Sequence, residues 1–272
     1  MKTSISVIIS TYNSEDWLEK VLWGYNNQTL NNFEIVIADD GSKSETKKLI
    51  DALKQEVSYS ITHIWHEDDG FQKSKILNKA ILACKTDYII MSDGDCIPRK
   101  DFVEVHDYYK EKGYFLSGGY FMLPMNISKL ISKKDIESGD CFNINWLTKN
   151  GLKKSFKNNK LSASENKVKF LNWATPTKAT WNGHNASGWK EDIIKVNGFD
   201  ERMQYGGQDR ELGERLVNKG IKPKQIRYSA IVIHLDHPRG YVNKESWTIN
   251  NDIRKNTRNN KVLRTSYGIN KD

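Results

Sequence analysis

At 272 residues, with 38% hydrophobic content, eight Trp and twelve Tyr, the chain can bury a sizeable core, as one large α/β domain or two small ones, and wholesale disorder is excluded. A formal net charge of +8 points to an anionic partner: phosphate-bearing small molecules, an anionic membrane or nucleic acid. The three cysteines, Cys84, Cys96 and Cys141, show no C-x-x-C spacing, which argues against a disulfide framework or zinc knuckle and for a reduced, cytosolic chain.

A β-branched run at 4–10 (SISVIIS) reads as a buried strand, and because it begins at once no cleaved leader is expected. Ser14 can cap a helix through about Asn26, whose Trp17, Leu18, Val21 and Leu22 follow helical spacing. Residues 33–38 read as a second strand, stopping at Asp39-Asp40-Gly41-Ser42. A helix over 44–54, a strand over 60–65, an amphipathic helix over 73–84 and a fourth strand over 87–92 follow. This alternation predicts a parallel sheet.

From 129 to 169 the pattern weakens to Lys, Asn and Ser (KKSFKNNKLSASENK within it) and reads as a loop, either a lid or a disordered excursion. Order returns over 181–189. A helix from about Lys190, another over 209–219 and a strand over 230–234 precede a basic tail with helix potential between 244 and 259. No apolar run reaches the ~20 residues that span a bilayer.

Three strands end in polar clusters: Thr11-Tyr12-Asn13, Asp39-Asp40-Gly41-Ser42 and Asp93-Gly94-Asp95. In a parallel sheet these ends share one edge and would form a single cleft. Asp93 and Asp95 offer hard oxygen ligands that suit Mg²⁺ or Mn²⁺ shared with substrate phosphates, and Gly94 lets the backbone approach closely. An ordinary Asp-Gly turn is the alternative. Neither G-x-G-x-x-G nor G-x-x-x-x-G-K-S/T follows the first strand, which weakens dinucleotide-binding and P-loop readings.

The ordered set SVIISTYN, IADDGS, DDGFQKSKILNKAI and IIMSDGDCIP resembles family 2 glycosyltransferases of the GT-A fold. The segment GHNASGWKEDIIKVNGFDERMQYGGQDRELGERL followed by IVIHLDHP is similar to the carboxy-terminal half of bacterial chondroitin polymerases and to β-1,4-galactosyltransferases. The resemblance implies a Rossmann-like, mostly parallel sheet flanked by helices, with a C-terminal acceptor-side extension. It divides the chain into a nucleotide-sugar-binding half (1–125), a flexible basic loop or lid (126–172), an acceptor-binding and catalytic half (173–240) and a basic tail (241–272).

It also implies roles. Thr11, Tyr12 and Asn13 would lie beside the nucleotide base or ribose. Asp39 would accept from uracil N3–H, and Asp40 would lie near the ribose. Gln72 and Lys73 would follow the nucleotide, Lys73 reaching a phosphate. Leu77 stands where the family often has Arg. Asp95 would ligate Mn²⁺ or Mg²⁺ and Asp93 would contact ribose and metal waters, with Gly94 between them; His234 would be the third ligand and His237 a weaker candidate.

Asp209 would be the general base, with helix N-capping as its structural alternative. Gly207 and Gln208 would face acceptor or donor sugar, although Gln208 and Tyr205 replace the family's acid and Trp. Trp189 would be a sugar-stacking platform, or core packing instead. The implied reaction is inverting, metal-dependent transfer of a hexose or N-acetylhexosamine from a UDP-sugar to a glycan or lipid-linked acceptor, in capsule or lipopolysaccharide synthesis.

The basic tail (Lys244, Arg254, Lys255, Arg258, Lys261, Arg264) would attract an anionic membrane, placing the protein on the inner face of the plasma membrane. A basic anionic-ligand binding protein without transferase activity is the competing reading. Nucleic acid is not an expected partner, because no aromatic platform sits on basic strands. A nucleotidyltransferase is disfavoured because its Gly-rich, Lys-containing first loop is absent.

Overall fold

The structure is a computed structural model and describes residues 4–238 and 244–271. Four strands, β1 (Ile5–Thr11), β2 (Phe33–Asp39), β3 (Ser60–Trp65) and β4 (Tyr88–Asp93), alternate with helices α1 (Glu15–Asn26), α2 (Ser44–Leu53) and α3 (Lys73–Ala83). Then come β5 (Cys96–Pro98), α4 (Phe102–Tyr109), β6 (Tyr114–Ser117) and β7 (Gly119–Met122). A helical excursion of α5 (Met125–Leu130), α6 (Lys133–Glu137), α7 (Ile144–Lys149), α8 (Asn159–Ser162) and α9 (Glu165–Ala174) separates these from the rest. The chain finishes with β8 (Ala186–Trp189), α10 (Lys190–Lys195), α11 (Gln208–Asn218), β9 (Lys222–Gln225), β10 (Ile231–His234) and α12 (Lys244–Asn259).

The seven-stranded sheet has the order β3-β2-β1-β4-β8-β6-β9. Strands β1 to β4 are parallel to one another, and β8 runs antiparallel to both β4 and β6. The period of two along a strand sorts the core. Ile5, Val7 and Ile9 pack with Leu18, Val21 and Leu22 of α1 on one face, and Ile8, Val36 and Met91 with Ile76, Ala80 and Ile81 of α3 on the other. A second, three-stranded sheet of order β5-β10-β7 lies across the carboxyl end of β4. Because β8 enters between β4 and β6, residues from both halves of the chain build one sheet.

Two expectations are corrected. Residues 129–169 are not a structureless loop but short helices, two of them with side-chain caps: Ser132 and Asp135 form a reciprocal capping box, and Asn143 Oδ1 accepts from the Asn145 and Trp146 amides. Helices of one or two turns are too short for their apolar spacing to stand out in a Lys/Asn/Ser background. The C-terminal segment is not a free tail. Asn250 Nδ2 donates to the carbonyls of Gln204, Tyr205 and Gly206 at 3.0, 3.1 and 3.0 Å, fastening α12 over the turn before α11. Of the basic residues there, Arg254 and Arg258 pair with Glu214 at 2.6 and 3.0 Å; the Lys244 side chain lies outside the described residues. All three cysteines are buried and free.

Candidate active site

A cavity of about 830 Å³ opens where β1, β2 and β4 end, and takes its far wall from β7, β10 and the loop before β8. Thr11, Tyr12 and Asn13 line it directly. Asn13 is left-handed (φ 43°), a conformation Asn tolerates better than most residues. Its amide donates to Ser42 Oγ at 2.8 Å and its side chain accepts from the Lys43 amide at 2.9 Å. These bonds tie the end of β1 to the turn after β2.

The adjacent acids at the end of β2 divide. Asp39 is 1% exposed, accepts from the Ser42 amide at 2.8 Å and faces His63 Nε2 at 2.8 Å, so it supports the turn and does not line the cavity. Asp40 lines it. His66 Nε2 at 2.8 Å and the Gln72 amide at 3.0 Å hold its carboxylate, and burial raises its pKa despite them. Gln72 acts through that amide, its side chain turning back to Asp69, while Phe71 and Lys73 on either side face the cavity.

At the end of β4, Ser10 Oγ donates to Asp93 Oδ1 at 2.7 Å and Lys73 Nζ lies 2.7 Å from the same oxygen. Burial opposes both charges, yet the pair holds: Asp93 stays well below the usual carboxylate range and Lys73 above the usual amine range. Gly94 brings the chain against β1, not only against a ligand. Its amide donates to Ser10 O at 2.8 Å, and a Cβ there would stand 3.0 Å from that oxygen.

The register of β10 against β5 aligns His234 with Cys96, and the Leu235 amide donates to Asp95 O at 2.9 Å, bringing His234 beside Asp95. Asp95 Oδ2 lies 3.8 Å from His234 Nε2 and 2.9 Å from His237 Nε2. One donor atom from each of the three residues falls within 4.8 Å of the others. His237 therefore belongs to the cluster, whereas Asp93 is engaged with Lys73 and Ser10.

Each histidine has Nδ1 on a main-chain carbonyl, Leu235 O at 2.8 Å and Pro238 O at 3.0 Å. A carbonyl only accepts, so each Nδ1 carries a proton and each Nε2 is the ring atom turned to Asp95. Two imidazole nitrogens and a carboxylate oxygen converging in this way fit a divalent cation, with the carbonyls orienting the rings as outer partners of a metal site do.

Asp209 sits in the first turn of α11 and is not its N-cap; Gly207, left-handed at φ 89°, takes that place. Asp209 Oδ2 instead accepts from the Gly183 amide at 2.9 Å. A Cβ on Gly183 would stand 3.6 Å from Asp209 Oδ2 and 3.9 Å from Asp93 Oδ1, so this glycine lies between the two carboxylates. Gln208 is buried and accepts from the Gly206 amide at 3.0 Å, bracing its own turn without lining the cavity. Gly207 is shielded by Arg254, whose Cδ would lie 3.0 Å from any Cβ there.

Trp189 is not at the site. Since β8 is antiparallel to β4, its carboxyl end meets Tyr88 at the start of β4. There the indole packs edge-on against Tyr88 at 5.1 Å, under Lys112 Nζ at 3.7 Å, and donates to Glu111 O. The structure adds His184, Tyr120 and Tyr205 to the cavity wall. Tyr120 packs against both His184 and His234, at 4.7 and 5.8 Å. Burial pushes the His184 imidazole down to about 4, although Asp93 and Asp209 favour its charged form. His184 lies in the segment GHNASGW, where its neighbour Gly183 was the available signal.

The fold is that of the GT-A glycosyltransferases. Residues 6–116 match the Glycosyl transferase family 2 model and residues 166–238 the model described as N-terminal domain of galactosyltransferase. It is similar to chondroitin synthase of Escherichia coli, 24% identical over 254 residues, covering 86% of this chain and 35% of that protein. Chondroitin synthase of Pasteurella multocida is 28% identical over 231 residues, covering 79% and 23%. The chain thus spans about a third or less of these relatives.

In fold it is similar to a mannosyltransferase from Pyrobaculum calidifontis in complex with GDP-Man and Mn²⁺, with a TM-score of 0.59, 18% identity and coverage of 89% and 59%. It is also similar to residues 1–349 of S. aureus TarS in complex with UDP, with a TM-score of 0.60, 14% identity and coverage of 96% and 69%. Among the described residues no helix is long and apolar enough to cross a membrane.

Proposed function

We propose that the chain transfers a hexose or N-acetylhexosamine from a UDP-sugar to a glycan or glycolipid acceptor, with inversion and with a divalent cation, in polysaccharide synthesis. The observation that carries this reading is the Asp95–His234–His237 cluster, which lines the same cavity as Asp93 and the strand ends. A TarS structure with UDP and the relationship to chondroitin synthases support the donor and the pathway class.

Asp95, His234 and His237 would hold the cation. Two imidazoles and one carboxylate suit Mn²⁺ better than Mg²⁺, which favours all-oxygen shells. Bound there, it would supply Lewis-acid neutralisation of the departing diphosphate. Thr11, Tyr12, Asn13 and Asp40 receive the nucleoside, with Asp40 in place of Asp39 as the carboxylate acceptor for the base. Lys73 exchanges Asp93 for a phosphate oxygen. The acceptor oxygen attacks the anomeric carbon as the bond to the diphosphate oxygen breaks, and Asp209, steadied by the Gly183 amide, takes the acceptor proton.

A panel of nucleotide-sugars incubated with Mn²⁺ and oligosaccharide acceptors, with product anomers read by NMR, tests the reading. Turnover of a UDP-sugar with inverted configuration is expected. Retention of configuration, or no turnover of any UDP-sugar, would overturn it.

A further inference from the structure

We infer that the face built by residues 153–173 docks the protein on an anionic lipid surface. In α9 the side chain of Asn172 marks the inward side, its Nδ2 donating to Ser229 Oγ at 2.9 Å and its Oδ1 accepting from the Tyr228 amide at 2.8 Å. No residue of α9 is buried. Phe170 and Trp173 are 59% and 82% exposed with ring centroids 6.0 Å apart, and Phe156 ahead of α8 is 70% exposed. The paired rings of Phe170 and Trp173, with Phe156 exposed in the adjoining segment that Lys167 Nζ ties to α9 through Asn159 Oδ1 at 2.7 Å, mark an interaction surface.

The charge around the rings selects the occupant. Between residues 150 and 180 the chain has seven lysines and a single acid, Glu165, which is paired with Lys169 at 2.9 Å. Lys153, Lys154, Lys157 and Lys167 are exposed. Aromatic rings that partition to the headgroup boundary, surrounded by cations that meet anionic headgroups, are the features of an interfacial element. The face is also joined to the cavity: Lys160 of α8 is buried and donates to the carbonyl of Tyr120 at 2.6 Å, and Tyr120 lines the cavity wall. This attachment differs from the C-terminal one, where Glu214 already holds Arg254 and Arg258. It does not depend on the transfer reaction.

The test is co-sedimentation of the full chain with vesicles of phosphatidylcholine alone or with roughly one-third phosphatidylglycerol. Binding is expected to the anionic vesicles only. It should fall about tenfold or more in the double variant Phe170→Ser, Trp173→Ser, and likewise in the triple variant Lys153→Gln, Lys154→Gln, Lys157→Gln. The variant Lys255→Gln, Arg258→Gln should bind as wild type does. Far-UV circular dichroism should be unchanged in all of them, because the substituted side chains are exposed. Failure of the wild type to bind anionic vesicles, equal binding to neutral ones, or full binding by the ring variant would overturn the inference. So would ring-dependent binding of a soluble acidic polysaccharide without vesicle binding.

Discussion

Lys73 Nζ lies 2.7 Å from Asp93 Oδ1, joining the first turn of α3 to the carboxyl end of β4 across the cavity floor. Either charge alone would be penalised by burial; together they stay ionised. The pair places a cation where a diphosphate would approach. Lys73→Met is expected to weaken UDP binding about tenfold or more and to flatten its salt dependence, as calorimetry at two ionic strengths would measure. Leaving Asp93 with Ser10 as its hydrogen-bond donor should also cost about 1–3 kcal/mol of stability, less than for a fully buried pair because both side chains reach solvent. Unchanged UDP affinity would remove Lys73 from the phosphate.

Asp209 is held by one oxygen: Gly183 N–H donates to Oδ2. In Asp209→Asn the side-chain carbonyl can still accept that hydrogen bond, so the turn should keep its form while the proton acceptor is lost. A fall in kcat of about 10²–10⁴-fold with donor affinity unchanged is expected. Steady-state kinetics with the UDP-sugar found by the panel would measure it. Wild-type turnover in this variant would exclude Asp209 as the base.

His237→Ala removes the imidazole 2.9 Å from Asp95. Mn²⁺ affinity measured with UDP present should fall by at least the roughly 10–100-fold that loss of outer-shell partners causes. Trp189→Phe, at the far end of the sheet, serves as the comparison and should leave it unaltered. Equal Mn²⁺ affinity in the wild type and His237→Ala would show that the cluster of three does not hold the ion.

The parallel core was legible because its strands are apolar runs and its helices are amphipathic over ten or more residues, long enough for the two periods to separate. The cavity edge was legible for the same reason, since parallel strands place their polar ends together. What lay beyond reach depends on direction and on contacts between distant segments. Trp189 follows a strand, but β8 runs antiparallel, so its carboxyl end lies at the opposite edge from Asp93. Asp39 and Asp40 are neighbours with opposite orientations, and the partners that fix the choice, His63, His66 and Gln72, lie 24 to 32 residues away. His237 carries little signal in the sequence, because H-x-x-H is not a ligand spacing within a strand. β10 ends at His234, and the chain beyond it turns the second ring back to Asp95. The Asn250 bonds that dock α12 are equally invisible to composition, which shows only a basic segment.

The buried imidazole of His106 gives the fold an acid sensitivity away from the cavity. His106 is fully buried on α4, with Nδ1 2.7 Å from Ser187 Oγ and Nε2 3.0 Å from Asn185 Oδ1, and burial pushes its pKa down from 6.5 to about 4. The unfolded chain therefore binds a proton between about pH 6.5 and pH 4 that the folded chain refuses, so stability rises with pH across this window and is lost as pH falls through it. At about 1.36 kcal/mol per pKa unit the contribution is of order 3 kcal/mol between those limits. Asp93 acts in the same direction but at lower pH, because its folded pKa is depressed below 3.8. Urea unfolding at intervals from pH 7 to pH 4.5 should show midpoints falling with acidity. In His106→Gln, which can still hydrogen-bond but cannot titrate, the dependence on pH should be shallower over this range, even if the variant is less stable at pH 7. An identical pH dependence in the variant would assign the acid sensitivity to other groups.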